Sequence, residues 1–334
     1  MSSSSAPRLT RSRVMALAQT ATPDSSPAPS EAARPTSTAT AGTTGAGPIA
    51  MQQLLLPRDL TRSHTGLDKN DHAQLLKKQA WLAKHAVVVP RGFAWHKAAV
   101  EATLVFGQEE AGTAVCISSD DGLLLTCSHC CVDETGNDRP GRSKVHWLVF
   151  PSGTVVGARC IAWDGKRDLA LLRITKAQLL QVDDSDGGRH CTSSRALPDG
   201  GAQSHSHSRF PSVNIAAGPI AVGSRMVCIG HPGSEDLEVE EAGIATGYDV
   251  LHASAGRFRG HADDQDVQDN SEIGALMHDC WTYWGHSGAP LLTWTTGELA
   301  GLHSSWDDET AMRRGVALEA IREFLKEHGF VHLI

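Results

Sequence analysis

Short apolar segments separated by turn residues constrain the fold of this chain more than any other feature. Eight such segments, five to seven residues long, follow residue 100: "ATLVF" (102–106), "GTAVCIS" (112–118), "GLLLTC" (122–127), "VHWLVF" (145–150), "LALLRI" (169–174), "MVCIG" (226–230), "APLLTW" (289–294) and "LAGLHS" (299–304). Many short strands at near-regular spacing are typical of antiparallel sandwiches and barrels. The sequence therefore predicts an all-β body.

Helices are predicted on both sides of this β region. The stretch "NDHAQLLKKQAWLAKHA" (70–86) has helical periodicity, with Asn70 or Asp71 as its N-cap. An apolar stripe near the C-terminus predicts a second helix that stops at Gly329. Residues 252–272 read as a polar insertion. We expect the following organisation: a disordered tail (1–60), a helical extension (61–94), a first β-barrel (95–180), an inter-barrel loop (181–212), and a second β-barrel with the C-terminal helix (213–334).

The N-terminal fifty residues are dominated by Ser, Thr, Ala, Pro and Gly, and the first aromatic residue is Trp81. Such a segment cannot bury enough apolar surface to offset its ordering entropy. This segment lacks the apolar core of a secretory signal. Without such a signal, the eight cysteines of the chain favour a reducing, intracellular and cytoplasmic location. Arg8, Arg11 and Arg13 precede the first acidic residue, a pattern that also permits a mitochondrial transit peptide.

Charge and composition exclude several classes of protein. The net charge is −8, which argues against a general affinity for nucleic acid, and the basic hexamer "RPGRSK" (139–144) reads as a solvated turn. No apolar run reaches the roughly 20 residues that a membrane span needs. Cys127, His129, Cys130 and Cys131 form a cluster, but Cys130 and Cys131 are adjacent and no second C-x-x-C pair faces them. We therefore expect no metal and no cofactor.

The segment "YWGHSGAPLL" (283–292) places a serine between two glycines. A nucleophilic serine needs a base and donors for the oxyanion that it creates. A tight turn here would bring the amides of Gly285 and Ser287 together, and glycine permits such a turn. Taken alone, the motif also fits an ordinary turn that leads into a strand.

Two further residues make the catalytic interpretation specific. His129 follows the apolar segment "LLLTC", and Asp168 directly precedes the apolar segment "LALLRI". Each alone reads as a buried structural residue. Together with Ser287, in the order His, Asp, Ser, they predict a triad in which the carboxylate orients the imidazole.

These motifs resemble those of the chymotrypsin-like (trypsin-like) serine peptidases. "LTCSHCCV" is similar to the family's L-T-A-A-H-C-V, "DLALLRI" to D-[IL]-A-L-L-x-[VI], and "GHSGAPLL" to G-D-S-G-G-P-L. The resemblance covers roughly residues 95–328. It implies two six-stranded antiparallel β-barrels with the catalytic residues His129, Asp168 and Ser287 in the cleft between them, and an oxyanion hole formed by Gly285 and Ser287.

Two departures from the pattern resemble the HtrA-type and V8-type glutamyl peptidases. His286 stands where secreted members have the Asp that pairs with a new amino terminus, so that activation switch is absent. Cys130 is present, but Ala111 occupies the expected position of its disulfide partner.

The segment "GLHSSWDDETAMRRGVAL" (301–318) resembles the V8-type G-[IL]-H-x-G region. The resemblance implies that His303 lines the primary specificity pocket and that Ser304 supports the catalytic Asp. A protonated His303 would receive an acidic side chain before the cut, and that preference would weaken as pH rises. Alternatively, His303 only shapes the cleft, and the bulky Trp284 and Trp306 narrow or block the pocket.

Two functions remain open at this point. The resemblance and the intact His129, Asp168 and Ser287 predict a serine endopeptidase whose partner is a peptide or protein substrate, which it cleaves through an acyl-enzyme. The alternative is an inactive pseudoprotease that serves as a binding or scaffold module, with its oxyanion loop distorted by His286 or Trp284.

Overall fold

Two closed six-stranded antiparallel barrels form the body of the protein, as the sequence and the family resemblance led us to expect. The computed structural model describes residues 54–108, 112–132, 144–178, 210–236, 239, 241 and 243–334. Both barrels are built from apolar segments that pair with their neighbours through short turns. The C-terminal helix is also present.

The first barrel contains strands β2 to β7, in the order β7-β4-β3-β2-β5-β6, and the β6–β7 pair closes it. Most of the inward positions carry Leu, Val or Ala with no exposed surface. The strand bounds are β2 (Thr103–Phe106), β3 (Thr113–Ser118), β4 (Leu123–Thr126), β5 (His146–Val149), β6 (Val155–Asp164) and β7 (Leu169–Gln178).

A further strand, β1 (Leu54–Leu56), pairs with β7 in parallel. It lies inside the segment 1–60 that we expected to be disordered, so order begins earlier than that boundary. The apolar triplet supplies the reason, because Leu56 is buried while its backbone adds to the edge of β7.

The helical extension contains α1 (Arg62–Thr65) and α2 (Lys69–Lys84), and a third helix, α3 (Lys97–Glu101), directly precedes β2. Helix α2 is capped by Asp68 rather than by Asn70 or Asp71, because the Asp68 carboxylate accepts from the amides of both residues at 2.7 and 2.9 Å. Its buried face reaches the first barrel, where the Lys78 ammonium donates to the Phe106 carbonyl at 2.8 Å.

The second barrel contains β8 to β13 in the order β10-β13-β12-β11-β8-β9. The expectation that residues 252–272 form a polar insertion was wrong for their first half, which is strand β9. The sequence does not reveal this strand because most of its residues are small or polar, and only Ala253, Ser254, Phe258 and Gly260 are buried. The elements are β8 (Arg225–Gly230), β9 (His252–His261), β10 (Leu276–His278), β11 (Pro290–Thr293), β12 (Leu299–Trp306), β13 (Arg313–Ala317) and helix α4 (Leu318–Glu327).

Several sequence expectations lie outside the described residues. They are the tail up to residue 53 with its transit-peptide pattern, the basic hexamer up to residue 143, Ala111, and the inter-barrel loop up to residue 209. In the part of the chain that is described, no helix combines the length and apolar character that a membrane span demands.

His146 generates a prediction on the first barrel. Its ring is fully buried and packs edge-on against Phe106, and neither ring nitrogen has a hydrogen-bond partner among the described residues. Burial, assisted by the charge of Lys144, lowers the pKa of His146 to about 4. An unfolded histidine has a pKa near 6.5, so between these values only the unfolded chain takes up the proton.

We therefore expect the free energy of unfolding to fall by roughly 1 kcal/mol per pH unit from this residue as pH drops from about 6.5 towards 4. His146→Phe should reduce the measured slope by this amount, as determined by urea unfolding at several pH values, while other buried histidines such as His278 still contribute. The exposed control His332→Gln should leave the slope unchanged. Equal slopes in wild type and His146→Phe would contradict the assignment.

Candidate active site

The three residues singled out by the motifs lie on three different elements, between the two barrels. His129 sits in a 3₁₀ turn (Ser128–Cys131) that follows β4, and Asp168 directly precedes β7. Ser287 lies in the turn before β11 of the second barrel. A backbone hydrogen bond from the Thr113 amide to the Ser287 carbonyl, at 3.0 Å, joins this turn to the first barrel.

Asp168 is fully buried, and its carboxylate is the point where these elements meet. His129 Nδ1 lies 2.8 Å from Oδ1, and the Ser304 hydroxyl donates to Oδ2 at 2.6 Å. The Ser128 hydroxyl donates to Oδ1 at 2.9 Å. These three groups can each donate a hydrogen bond to the carboxylate. They therefore stabilise its charged form and fix the plane of the His129 ring.

The backbone of Asp168 adopts a left-handed conformation, with φ of 55°. Few residues other than glycine take this conformation, although Asp tolerates it better than most. Such geometry at a buried carboxylate is typical of a functional position, because surrounding interactions must hold it.

Ser287 is partly exposed, and its hydroxyl donates to the Ser304 carbonyl at 3.3 Å. The following residue, Gly288, has φ of 81°, and a Cβ there would collide with the Thr113 carbonyl. The second glycine of the motif is thus required by the close approach of the two barrels. The thiol of Cys130 points at the Ser287 carbonyl at 3.5 Å.

The turn before Ser287 presents two backbone donors. Gly285 has φ of 95°, and the Trp284 carbonyl accepts from the Gly233 amide at 2.7 Å. Since the carbonyl and amide of one peptide unit point in opposite directions, this bond directs the Gly285 N–H away from Gly233. Among the described residues, neither the Gly285 nor the Ser287 amide has an acceptor.

His286 lies between Gly285 and Ser287 in the sequence, and its ring is buried. Burial lowers the pKa of His286 well below its usual range, with nearby His303 adding to the effect, so the ring is uncharged at neutral pH. Its Nδ1 lies 3.1 Å from both the amide and the carbonyl of Tyr283, and the ring packs edge-on against Trp281. A neutral aromatic ring therefore occupies this interior position without needing an ionic partner.

His303 lies behind the site, 5% exposed, with its Nδ1 3.0 Å from Nε2 of His278. Burial, then the nearby His278, Arg313 and His129, lower the pKa of His303 well below its usual range. The free protein thus does not present His303 as the cation that we expected to receive a substrate carboxylate. The geometry fits the alternative in which this ring shapes the wall of the cleft.

Trp284 and Trp306 are both half-buried, and the Trp306 indole N–H donates to the Asp308 carboxylate.

Ligand atoms of Cys127, His129 and Asp168 lie within 4.8 Å of one another, a different set from the cysteine cluster considered above. The Asp168 oxygens in this set already accept hydrogen bonds from His129 and two serines.

Sequence reasoning missed Ser128 and His278. Ser128 had a signal, since it adjoins His129 within the motif. His278 had a weaker one: alternation along β10 places it on the same side as the buried Leu276, so an inward-facing histidine was readable from "LMH" once that strand was recognised.

A family model identifies the type of domain to which this chain belongs. A sequence model described as "Trypsin-like peptidase domain" matches residues 112–302, more than half of the chain. Among curated proteins, no match is found. The active form of the Rv3671c protease from M. tuberculosis is similar over 73% of this chain and 89% of that one, with 16% identity and a TM-score of 0.46. A serine endoprotease from Yersinia pestis is similar over 73% and 68% of the respective chains, with 18% identity and a TM-score of 0.45.

The donors around Asp168 make its environment testable. Ser304→Ala would leave a buried carboxylate with one donor fewer, and a hydrogen bond to a charged group contributes about 1.5–3 kcal/mol. We expect the free energy of unfolding at pH 7 to fall by an amount in this range, as measured by urea denaturation. The exposed control Ser271→Ala should change it by less than about 0.5 kcal/mol. Identical effects of the two substitutions would contradict this account of Asp168.

Proposed function

Because this chain belongs to the trypsin-like peptidase family and is a serine-type endopeptidase, we propose that Ser287 is its nucleophile, His129 its general base, and Asp168 the carboxylate that orients His129. The observation that carries this assignment is the bond between His129 Nδ1 and the buried Asp168. That bond leaves Nε2 as the ring nitrogen that faces away from the carboxylate and is free to take up a proton.

The proposed reaction begins when the Ser287 hydroxyl attacks the carbonyl carbon of the scissile peptide bond. His129 accepts the hydroxyl proton, and the imidazolium that forms is stabilised by the charge of Asp168. His129 then gives this proton to the leaving amine, and water hydrolyses the resulting acyl-enzyme by the same route in reverse. Because the Ser287 hydroxyl donates to the Ser304 carbonyl in this structure, its hydrogen must turn from that carbonyl toward His129 before attack.

The amides of Gly285 and Ser287 are proposed to stabilise the oxyanion of the tetrahedral intermediate. Support comes from the bond between the Gly233 amide and the Trp284 carbonyl, which keeps that carbonyl from pointing at the intermediate. Donors that are already oriented cost no reorganisation at the moment of reaction.

The pseudoprotease alternative rested on a distorted loop around His286 or Trp284. Instead, the His286 ring packs into the interior, and the Trp284 carbonyl has a backbone partner. Both features support an active enzyme over a scaffold module.

A serine-directed probe tests the mechanism. We expect a fluorophosphonate to label the wild-type protein at Ser287, and Ser287→Ala to abolish both labelling and peptide hydrolysis while leaving the thermal unfolding midpoint within a few degrees. Ser152→Ala, which removes a hydroxyl far from the cleft, serves as the matched control. Peptide cleavage by Ser287→Ala at the wild-type rate would refute the assignment, and an unlabelled wild-type protein would favour the scaffold alternative.

We further propose that the enzyme prefers Glu or Asp immediately before the cut. The segments that border Ser287, residues 281–286 and 303–306, contain no acidic side chain, which argues against selection of Lys or Arg. The resemblance of residues 301–318 to the V8-type region points in the same direction.

Cleavage of a peptide library by the wild-type enzyme tests this preference directly. We expect Glu and Asp to be enriched before the scissile bond over their neutral amides Gln and Asn, because a carboxylate in a partly dry pocket gains from charged or polar donors. A profile dominated by Arg, Lys or small apolar residues would overturn the preference without affecting the catalytic assignment.

A further inference from the structure

We infer that Arg313 is the specificity-determining cation, which pairs with the carboxylate of the substrate residue before the cut. This inference rests on the proposed preference for acidic residues. It assigns the charge to a residue that the motif comparison did not single out, in place of His303.

Strand pairing brings Arg313 beside the site. It lies at the start of β13, where its register partners are Trp306 of β12 and His278 of β10. Directly opposed residues on antiparallel strands project to the same face of a sheet. Trp306 is two residues beyond Ser304, whose carbonyl accepts from Ser287, and two strand residues span roughly 6.6 Å. That separation is comparable with the reach of a glutamate side chain.

The guanidinium of Arg313 has few hydrogen-bond partners among the described residues. Among the described residues, its one hydrogen bond runs from Nη1 to the Ala311 carbonyl at 3.3 Å, and its Nε is buried without a partner. Within the same part of the chain, no carboxylate lies within 4.0 Å of it. Because a buried donor without a partner is costly, a ligand that supplies oxygen atoms here would be favoured.

The adjacent Arg314, by contrast, has a partner for each of its three side-chain nitrogen atoms. Its Nε donates to the Gly274 carbonyl at 2.8 Å, its Nη2 donates to the Gln265 amide oxygen at 2.6 Å, and its Nη1 lies 3.4 Å from the Asp307 carboxylate. Arg314 is 7% exposed, whereas Arg313 is half-buried and thus reachable. Of the two neighbouring cations, Arg314 is engaged in contacts within the barrel, whereas the Arg313 guanidinium can still bind a carboxylate.

The face of Trp306 holds Arg313 in place. The guanidinium carbon lies 5.1 Å from the centre of the indole ring, and the indole N–H is itself fixed by Asp308. A cation over an aromatic ring is attracted to the face of that ring, and this attraction does not use up the N–H donors of the guanidinium. Trp306 therefore orients the cation rather than only narrowing the pocket.

The neighbouring imidazoles cannot carry this charge. Burial is the largest cause that lowers the pKa of both His278, to about 3, and His303, and the positive charge of Arg313 lowers both further. A guanidinium, by contrast, stays charged in proteins. The pocket wall thus consists of neutral rings beside one persistent cation.

The test compares kcat/KM for matched peptides that differ only in Glu or Gln before the cut. Arg313→Gln should reduce the Glu-over-Gln preference by about tenfold or more, the ratio expected for one lost charge-assisted interaction. Arg313→Lys should retain part of the preference, since it keeps the charge but not the planar fork. Arg313→Glu should favour Lys over Gln at the same position. Thermal melting of each variant checks that it is folded.

Arg159→Gln removes an exposed arginine from the first barrel and is the matched control. An unchanged Glu-over-Gln ratio in both folded Arg313→Gln and Arg313→Glu would overturn the role of Arg313 while leaving the acidic preference intact. A wild-type enzyme with no Glu preference would instead overturn the proposed specificity itself, so the two failures are distinguishable.

Discussion

A single buried carboxylate determines how the site is assembled. Asp168 has no exposed surface, and a charge in such a place is stable only when donors surround it. Those donors come from the turn that carries His129 and from strand β12 of the second barrel, through Ser128 and Ser304. The requirement to satisfy one charge therefore couples the first barrel to the second at the point where the cleft must be formed.

The second barrel solves a related problem with neutral rings. Three histidines, His278, His286 and His303, occupy interior positions near the cleft, and burial keeps the pKa of each below its usual range. An ionic group at His286 would have needed a buried counter-ion. The neutral ring needs none, so the loop that carries the Gly285 and Ser287 amides is held by packing and backbone hydrogen bonds.

The sequence predicted the β architecture because its strands are short, apolar and separated by turns, and the triad because each member adjoins such a strand. It did not predict β9, whose small and half-exposed residues lack the alternating apolar pattern, or β1, whose three residues acquire meaning only by pairing with β7. The sequence also could not show that the pKa of His303 is lowered in the free protein. Burial and the proximity of His278 arise from barrel closure, which brings together residues that are distant in sequence.

The bond between Thr113 and Ser287 has a consequence for protein synthesis. Residues that hold Ser287 in place include Thr113, early in the β region, and His303 and Ser304 in strand β12, which pairs with the last strand of the second barrel. A growing chain exposes His129 and Asp168 on the ribosome well before that last strand emerges. The turn that carries Ser287 therefore meets His303 and Ser304 only after strand β12 has been made, and a nascent chain that stops short of β12 lacks both contacts.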